Sequence, residues 1–324
     1  MHSLSFFQKL VEAEIQKLNF REDPADLYDP IRYMLSLGGK RIRPSLVLMS
    51  CELFDGNIEE ALPAALGIEV FHNFTLLHDD IMDKAPLRRS KPTVHTKWNN
   101  DIAILSGDAM FVKSCQMMMH VNEKVAAGVM SNFLESALRV CEGQQLDMTY
   151  QDAASISINQ YLEMIEMKTA ALLACSLKTG ALIAETSAEN CDLIYTCGKN
   201  LGIAFQLHDD LLDVYGEEER FGKQSGGDII ANKKTFLVLK ALELASSSQE
   251  KELRQWLTVK NFDEKEKVNA VKNIFMETGV KEKAEAEMEN YFQKSAAALN
   301  EVKASAEKKQ QLISFSEQLM MRQH

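Results

Sequence analysis

The stretch GIEVFHNFTLLHDDIMD (Gly67–Asp83) sets apolar residues at helical spacing and then ends on three aspartates, Asp79, Asp80 and Asp83. Aspartate is a poor helix-interior residue, and its carboxylate is costly to bury as an anion, so this segment needs a compensating cation. The chain repeats the device. LHDDIMD ends at Asp83, and LHDDLLD ends 130 residues later at Asp213, again inside an apolar helical pattern.

The same three- and four-residue spacing of apolar side chains runs through most of the chain, which holds only six prolines and fifteen glycines. This predicts an all-α protein. The pattern places helices at about 3–18, 25–37, 43–54, 58–84, 93–120, 123–150, 158–185, 189–215, 233–247, 249–257, 263–277 and 280–320. Several are long, and no Gly/Ser- or Pro-rich linker divides them, so a single domain spanning residues 1–324, one bundle of long helices able to line a shared cavity, is expected. The 280–320 tail carries Met288, Tyr291, Leu299, Val302, Leu312, Phe315 and Leu319 as an intermittent apolar stripe among charged residues, and reads as one or two solvated outer helices.

Composition narrows the function. The chain is 46% hydrophobic with a formal charge of −11, which argues against nucleic acid as a partner, because phosphate-backbone binding requires an excess of Lys and Arg. Six cysteines (51, 115, 141, 175, 191 and 197) form no CxxC pair and sit mostly among apolar residues, the pattern of reduced core thiols. The N-terminus MHSLSFFQKLVEAEIQKL lacks a signal-peptide core, and the oiliest run, TAALLACSLKTGALIA, is broken by Lys178. A cytoplasmic protein with no membrane span is the expectation.

At about 100° per residue, Asp79 and Asp83 share one helix face, and Asp209 and Asp213 repeat that arrangement. Two such faces opposed would clamp a hard divalent ion. His78 and His208 precede the triplets but point elsewhere, and an all-oxygen ligand set suits Mg2+, which readily shares phosphate oxygens with a substrate. Basic segments supply the counterpart. GGKRIRP (Gly38–Pro44) offers Lys40, Arg41 and Arg43 as an anion cradle, and LRRSKPTVH places Arg88 and Arg89 in a Pro-flanked loop. EMKTA puts Lys168 and Thr169 inside an apolar helix, where a lysine is costly unless it meets an anion. YGEEERFGKQSGGDIIANKKT, after the second triplet, has the glycines and charge of a mobile lid bearing Lys223, Asp228, Lys233 and Lys234. Acidic metal clamps beside basic loops imply a diphosphate substrate.

These segments, together with GDAM and FQLHDDLLD, stand in the order and approximate spacing of the all-trans isoprenyl diphosphate synthases (polyprenyl synthetases), which the chain resembles over nearly its whole length. The resemblance implies an all-α bundle around a deep central cavity, usually homodimeric. It also implies three Mg2+ ions, with Asp79, Asp83 and Asp209 as direct ligands and Asp80, Asp210 and Asp213 supporting them. Arg88, Lys168 and Lys223 would grip an allylic diphosphate, and Lys40, Arg43, His72 and Arg89 would form the isopentenyl diphosphate site. Thr169 and Gln206 would face the reacting carbon, with Asp228 and Lys233 closing the lid. The implied chemistry is ionisation, condensation and elimination, with no side-chain nucleophile.

By the same resemblance, product length depends on the residues just before Asp79: Phe71, His72, Asn73, Phe74 and Thr75. Helical geometry sets Thr75 and His72 almost under Asp79 and Phe74 roughly 140° away, so spacing alone does not aim Phe74 into a cavity. In the family, an aromatic five residues before the triplet with a small residue at four resembles the geranylgeranyl (C20) type, with the farnesyl (C15) type as the alternative. Met117–Met119 could lie near this floor but read more simply as core. Ser90 departs from the family's usual Gly. A class I terpene cyclase usually lacks the second triplet and GGKRIRP, a non-catalytic partner subunit predicts eroded aspartates, and a di-iron bundle wants two paired Glu-x-x-His motifs, a pairing the sequence does not offer.

Overall fold

The computed structural model describes residues 2–216 and 226–320. The chain divides into two compact units, 1–135 with 175–194 and 303–311, and 136–174 with 195–302 and 312–324. Among the described residues no helix is long and apolar enough to cross a membrane.

The first unit begins with α1 (Leu4–Lys17), α2 (Ala25–Ser36), α3 (Ile42–Leu53) and α4 (Ile58–Met82). It continues through strands β1 (Leu87–Arg88) and β2 (Lys91–Pro92), then α5 (Val94–Lys97), α6 (Asn100–Met118) and the first half of α7 (Glu123–Asp152). α3 is buried along almost its whole length, with Leu46, Val47 and Leu48 at its centre. α4 and α6 approach closely because Gly67 and Gly107 carry no side chain. A Cβ on Gly67 would lie 3.1 Å from Met117 Cβ, and one on Gly107 would lie 2.2 Å from His78 Nε2. The single helix expected over 93–120 is interrupted at Trp98 and Asn99, where Asn99 turns extended and its side chain accepts from Ile102 N–H to start α6.

The second unit takes the rest of α7, then α8 (Ile158–Ile165), a π-helical turn (Glu166–Ala170), the start of α9 (Ala171–Ile183) and most of α10 (Ala188–Tyr215). It goes on with α11 (Gly227–Ile230), α12 (Phe236–Leu244), α13 (Ser247–Thr258), α14 (Glu264–Thr278), α15 (Val280–Glu301) and most of α16 (Ala306–Met320). Its core is one cluster including Leu207, Leu237, Leu253, Val271 and Phe275. Local sequence explains the boundaries. Ser157 with Gln160 and Ser246 with Gln249 form capping boxes, and Gly279, at φ +66, ends α14. The 280–320 tail is two helices, and Leu299, Val302, Leu312, Phe315 and Leu319 are buried rather than skimming the surface.

Four of the cysteines are buried, Cys115 is half-buried and Cys141 is exposed, so the core reading fails for Cys141. All six are free thiols.

Candidate active site

The candidate residues fall into two groups, one in each unit. In the first unit the aspartates end α4, with Asp83 as its C-terminal cap. The C-terminus of a helix carries negative partial charge, so three carboxylates there repel both one another and the last carbonyls. Asp80 is buried and is neutralised within the chain. Arg88 Nε donates to its two oxygens at 2.9 and 2.8 Å, and Arg88 Nη2 reaches Oδ1 at 2.8 Å. Asp83 is exposed and Asp79 half-buried.

Arg88 arrives from β1. Its hairpin pairs Leu87 with Pro92 and Arg88 with Lys91, leaving Arg89 (φ +51) and Ser90 (φ +62) as the two turn residues. A two-residue turn with positive φ at both centres favours Asn-Gly, so Ser90 holds a conformation that glycine would adopt without strain. This hairpin was not legible from the sequence beyond its being a Pro-flanked loop.

The hairpin turn meets the GGKRIRP segment directly. A Cβ on Gly39 would lie 3.0 Å from Arg89 Nη2, so this glycine lets the guanidinium lie against the backbone. Arg43 Nη1 stands 3.2 Å from His72 Nε2. Arginine cannot accept, so His72 Nε2 accepts and the imidazole is neutral with its proton on Nδ1. Burial, then Arg43, Arg89, Arg88 and Arg41, hold the His72 pKa well below its usual value. Burial and the neighbouring Arg41 and Arg88 also lower Arg89. Cations crowded in this way favour an anion. Lys40 is exposed at the rim of the same segment.

Arg41 is the exception in the cradle. It adopts φ +47, turns inward and pairs with Glu69 (2.5 Å) and Glu12 (2.9 Å) while donating to Leu35 O. Glu69 in turn accepts from Asn73. Arg41 is therefore a buried structural ion pair rather than an anion ligand.

The expected length-setting residues join an aromatic stack. Phe74 lies 5.5 Å from Phe71, 5.7 Å from Phe111 and 4.7 Å from His78, ring centroid to centroid, and Phe71 stands edge-on to Phe133 at 5.1 Å. Thr75 bonds its own helix at His72 O. Phe111 was not singled out from the sequence; its signal is an aromatic on the helix that Gly67 and Gly107 bring against α4. Met117 is half-buried against Gly67, Met118 is buried and Met119 is exposed, so the run lies near the start of this segment and the core reading holds for Met118 but fails for Met119.

In the second unit a cavity of about 240 Å3 gathers Asp147, Tyr161, Lys168, Thr169, Gln206, Asp210, Asp228, Lys233 and Lys234. Lys168 and Thr169 enter it from the π-turn. That turn is pressed between two glycines: a Cβ on Gly143 would lie 2.3 Å from Lys168 N, and one on Gly202 would lie 2.5 Å from Ala170 Cα. Lys168 pairs with Asp147, the anion that its apolar helix requires. Thr169 Oγ1 donates to Gln206 Oε1 at 3.1 Å, and Gln206 Nε2 donates to Asp210 Oδ1 at 3.2 Å.

The second triplet also ends a helix, in the last turns of α10. Asp210 is 3% exposed and accepts from Tyr161 OH. Burial raises its pKa to about 7, with Asp228 and Asp209 adding to the rise and the Tyr161 and Gln206 bonds opposing it. Asp213, also raised by burial, accepts from Asp228 N–H at 3.0 Å. Asp209 is exposed. Lys233 pairs with Asp228 at 2.8 Å. Asp147 and Tyr161 escaped the sequence reading, since each is one polar residue in an ordinary helical pattern. Lys223 lies outside the described residues.

Among the described residues no three His, Cys, Asp or Glu side chains stand in preassembled metal-binding geometry. The donor chemistry nevertheless fits a hard cation. Within each unit one aspartate is buried and bonded by the protein (Asp80, Asp210), while carboxylates at a negative helix end keep access to solvent (Asp79 in part, Asp83 and Asp209 exposed).

A family model described as Polyprenyl synthetase matches residues 24–275. A geranylgeranyl diphosphate synthase from Methanosarcina mazei is 40% identical over 235 residues, 72% of each chain. The crystal structure of a geranylgeranyl pyrophosphate synthase superimposes with a TM-score of 0.95 at 42% identity, covering 99% of both chains. That of a Corynebacterium glutamicum geranylgeranyl pyrophosphate synthase, complexed with isoprenyl diphosphate and magnesium, gives 0.83 at 28% identity over 98% of this chain and 96% of that one. The chain belongs to the polyprenyl synthetase family and is a prenyltransferase of its short-chain type.

Proposed function

We propose that this protein is a Mg2+-dependent geranylgeranyl diphosphate synthase, working as one catalytic domain on isopentenyl diphosphate and an allylic diphosphate. The observation that carries the reading is two aspartate triplets, each closing a long helix, each with arginines or lysines in its own unit. Asp79, Asp83 and Asp209 would hold three Mg2+ ions with Asp80, Asp210 and Asp213 in support; the metal, when bound, draws charge onto the leaving diphosphate. Arg88, Lys168 and Lys223 hold the allylic diphosphate, so Arg88 and Lys168 shift part of their hydrogen bonding from Asp80 and Asp147 to phosphate oxygens. Lys40, Arg43, Arg89 and neutral His72 hold isopentenyl diphosphate. Thr169 and Gln206 face the allylic C1, and Asp228 and Lys233 enclose it.

The C1–O bond breaks with its electron pair leaving on diphosphate, the isopentenyl double bond forms the new bond to C1, and a proton leaves to the departing pyrophosphate. Fixed cations aimed at the leaving oxygens are the main catalytic contribution of the chain. The Phe71–Phe74–Phe111 stack, with Thr75 small, supports a C20 product. An exposed stripe along α6 and its C-cap, Leu105 (60% exposed), Val112 (55%) and Met119 (51%), spaced seven residues apart, supports a homodimer.

The test incubates the protein with Mg2+, isopentenyl diphosphate and farnesyl diphosphate. Geranylgeranyl diphosphate with stoichiometric pyrophosphate is expected. Pyrophosphate with only a cyclic or hydroxylated hydrocarbon would make it a cyclase.

A further inference from the structure

Lys267, on α14, is fully buried and has no part in the chemistry above. Its ammonium donates to Asn232 Oδ1 and to Ile230 O (3.4 Å), and stands 4.1 Å from the centre of the Phe262 ring. Both acceptors lie at the C-terminal end of α11, and Asn232 holds φ +56. The other end of α11 is gripped by Asp213. Its carboxylate accepts from Asp228 N–H at 3.0 Å, and its carbonyl accepts from Gly226 N–H at 2.7 Å.

A four-residue helix cannot hold itself, and its end groups need partners. Here a carboxylate satisfies the N–H end and an ammonium the carbonyl end. Asp228 lies between the two grips, and Lys233 follows immediately, its N–H bonded to Asp228 O at 2.9 Å and its ammonium paired to Asp228 Oδ1 at 2.8 Å. Both line the cavity that holds Lys168, Thr169, Gln206 and Asp210. Packing alone would be served better by Met or Leu than by a buried ammonium, whose desolvation is costly.

We propose that Lys267 is a positioning residue: by holding the carbonyl end of α11 and Asn232, it fixes the turn that points Asp228 and Lys233 into the cavity. This rests on the prenyl-transfer reading for its effect on rate, but not for its effect on the turn. The test compares wild type, Lys267→Met, Lys233→Ala and the double variant, after circular dichroism has verified folding. Lys267→Met should lower kcat/KM on the order of tenfold to a hundredfold. In the Lys233→Ala background the same change should cost several-fold less than in wild type, because only Asp228 is then left to position.

Full multiplication of the two losses, or wild-type activity in Lys267→Met, overturns the proposal while prenyl transfer by the wild type stands. Should Lys267→Met not fold, Asn232→Gly, which keeps the left-handed turn and removes the acceptor, goes through the same cycle with the same expectations. Amide hydrogen exchange across residues 226–234 gives a readout independent of turnover. Faster exchange in the variant supports the proposal, and unchanged exchange overturns it even if the wild type proves inactive in prenyl transfer.

Discussion

Asp210 states the energetic problem of this protein at the scale of one residue. Its folded carboxyl titrates at about 7 because burial disfavours the anion more than Tyr161 and Gln206 favour it. A carboxyl whose folded pKa is raised binds its proton more tightly when folded, so its contribution to stability is present below the unfolded value near 4 and is lost as pH climbs toward 7. Asp210→Asn removes that loss. Without divalent cations, the stability of the variant relative to wild type should therefore increase between pH 4 and 7 in thermal or urea unfolding; a constant difference would contradict the assignment. Ser90 offers a second residue-scale test. Glycine removes the cost of a side chain at φ +62, so Ser90→Gly should stabilise the fold by about 1 kcal/mol in urea unfolding.

Among the elements, the π-turn is the most sharply constrained. It is widened just where Lys168 and Thr169 must leave a helix otherwise committed to the core, and Gly143 and Gly202 leave room for it on two sides. The atom a Cβ on Gly143 would strike is backbone, which cannot swing aside. Gly143→Ala should cost about 1–3 kcal/mol by overpacking and lower kcat/KM by roughly tenfold or more by moving Lys168 and Thr169. Thermal unfolding and steady-state kinetics would both register the change. An alanine variant with native stability and turnover would mean that the turn does not depend on the glycine. The helix rhythm around this turn was legible, since residues 158–185 read as one continuous apolar pattern. The π-turn was not, because its cause is the absence of side chains on two other helices.

At the scale of the whole chain, the sequence specified its all-α class, the long helices and both aspartate triplets through periodicity and charge placement alone. Partners supplied by tertiary contact were less visible. Arg41 looked equivalent to Lys40 and Arg43 in GGKRIRP, yet its left-handed backbone sends it to Glu69. Asp147 and Tyr161 become meaningful only beside Lys168 and Asp210. Helical angles left Phe74 off the face beneath Asp79, and the structure supplies what spacing lacked, the Phe111 ring from α6 that seats it.

Chain growth stopped at C20 by that stack is read out by mass analysis of the longest prenyl diphosphate accumulated under excess isopentenyl diphosphate. Wild type and Phe74→Ala would be run side by side. A stop at that stack gives C20 from the wild type and longer chains from the variant. A wild type that stops at C15 or runs past C20, or a variant with an unchanged product, would contradict it.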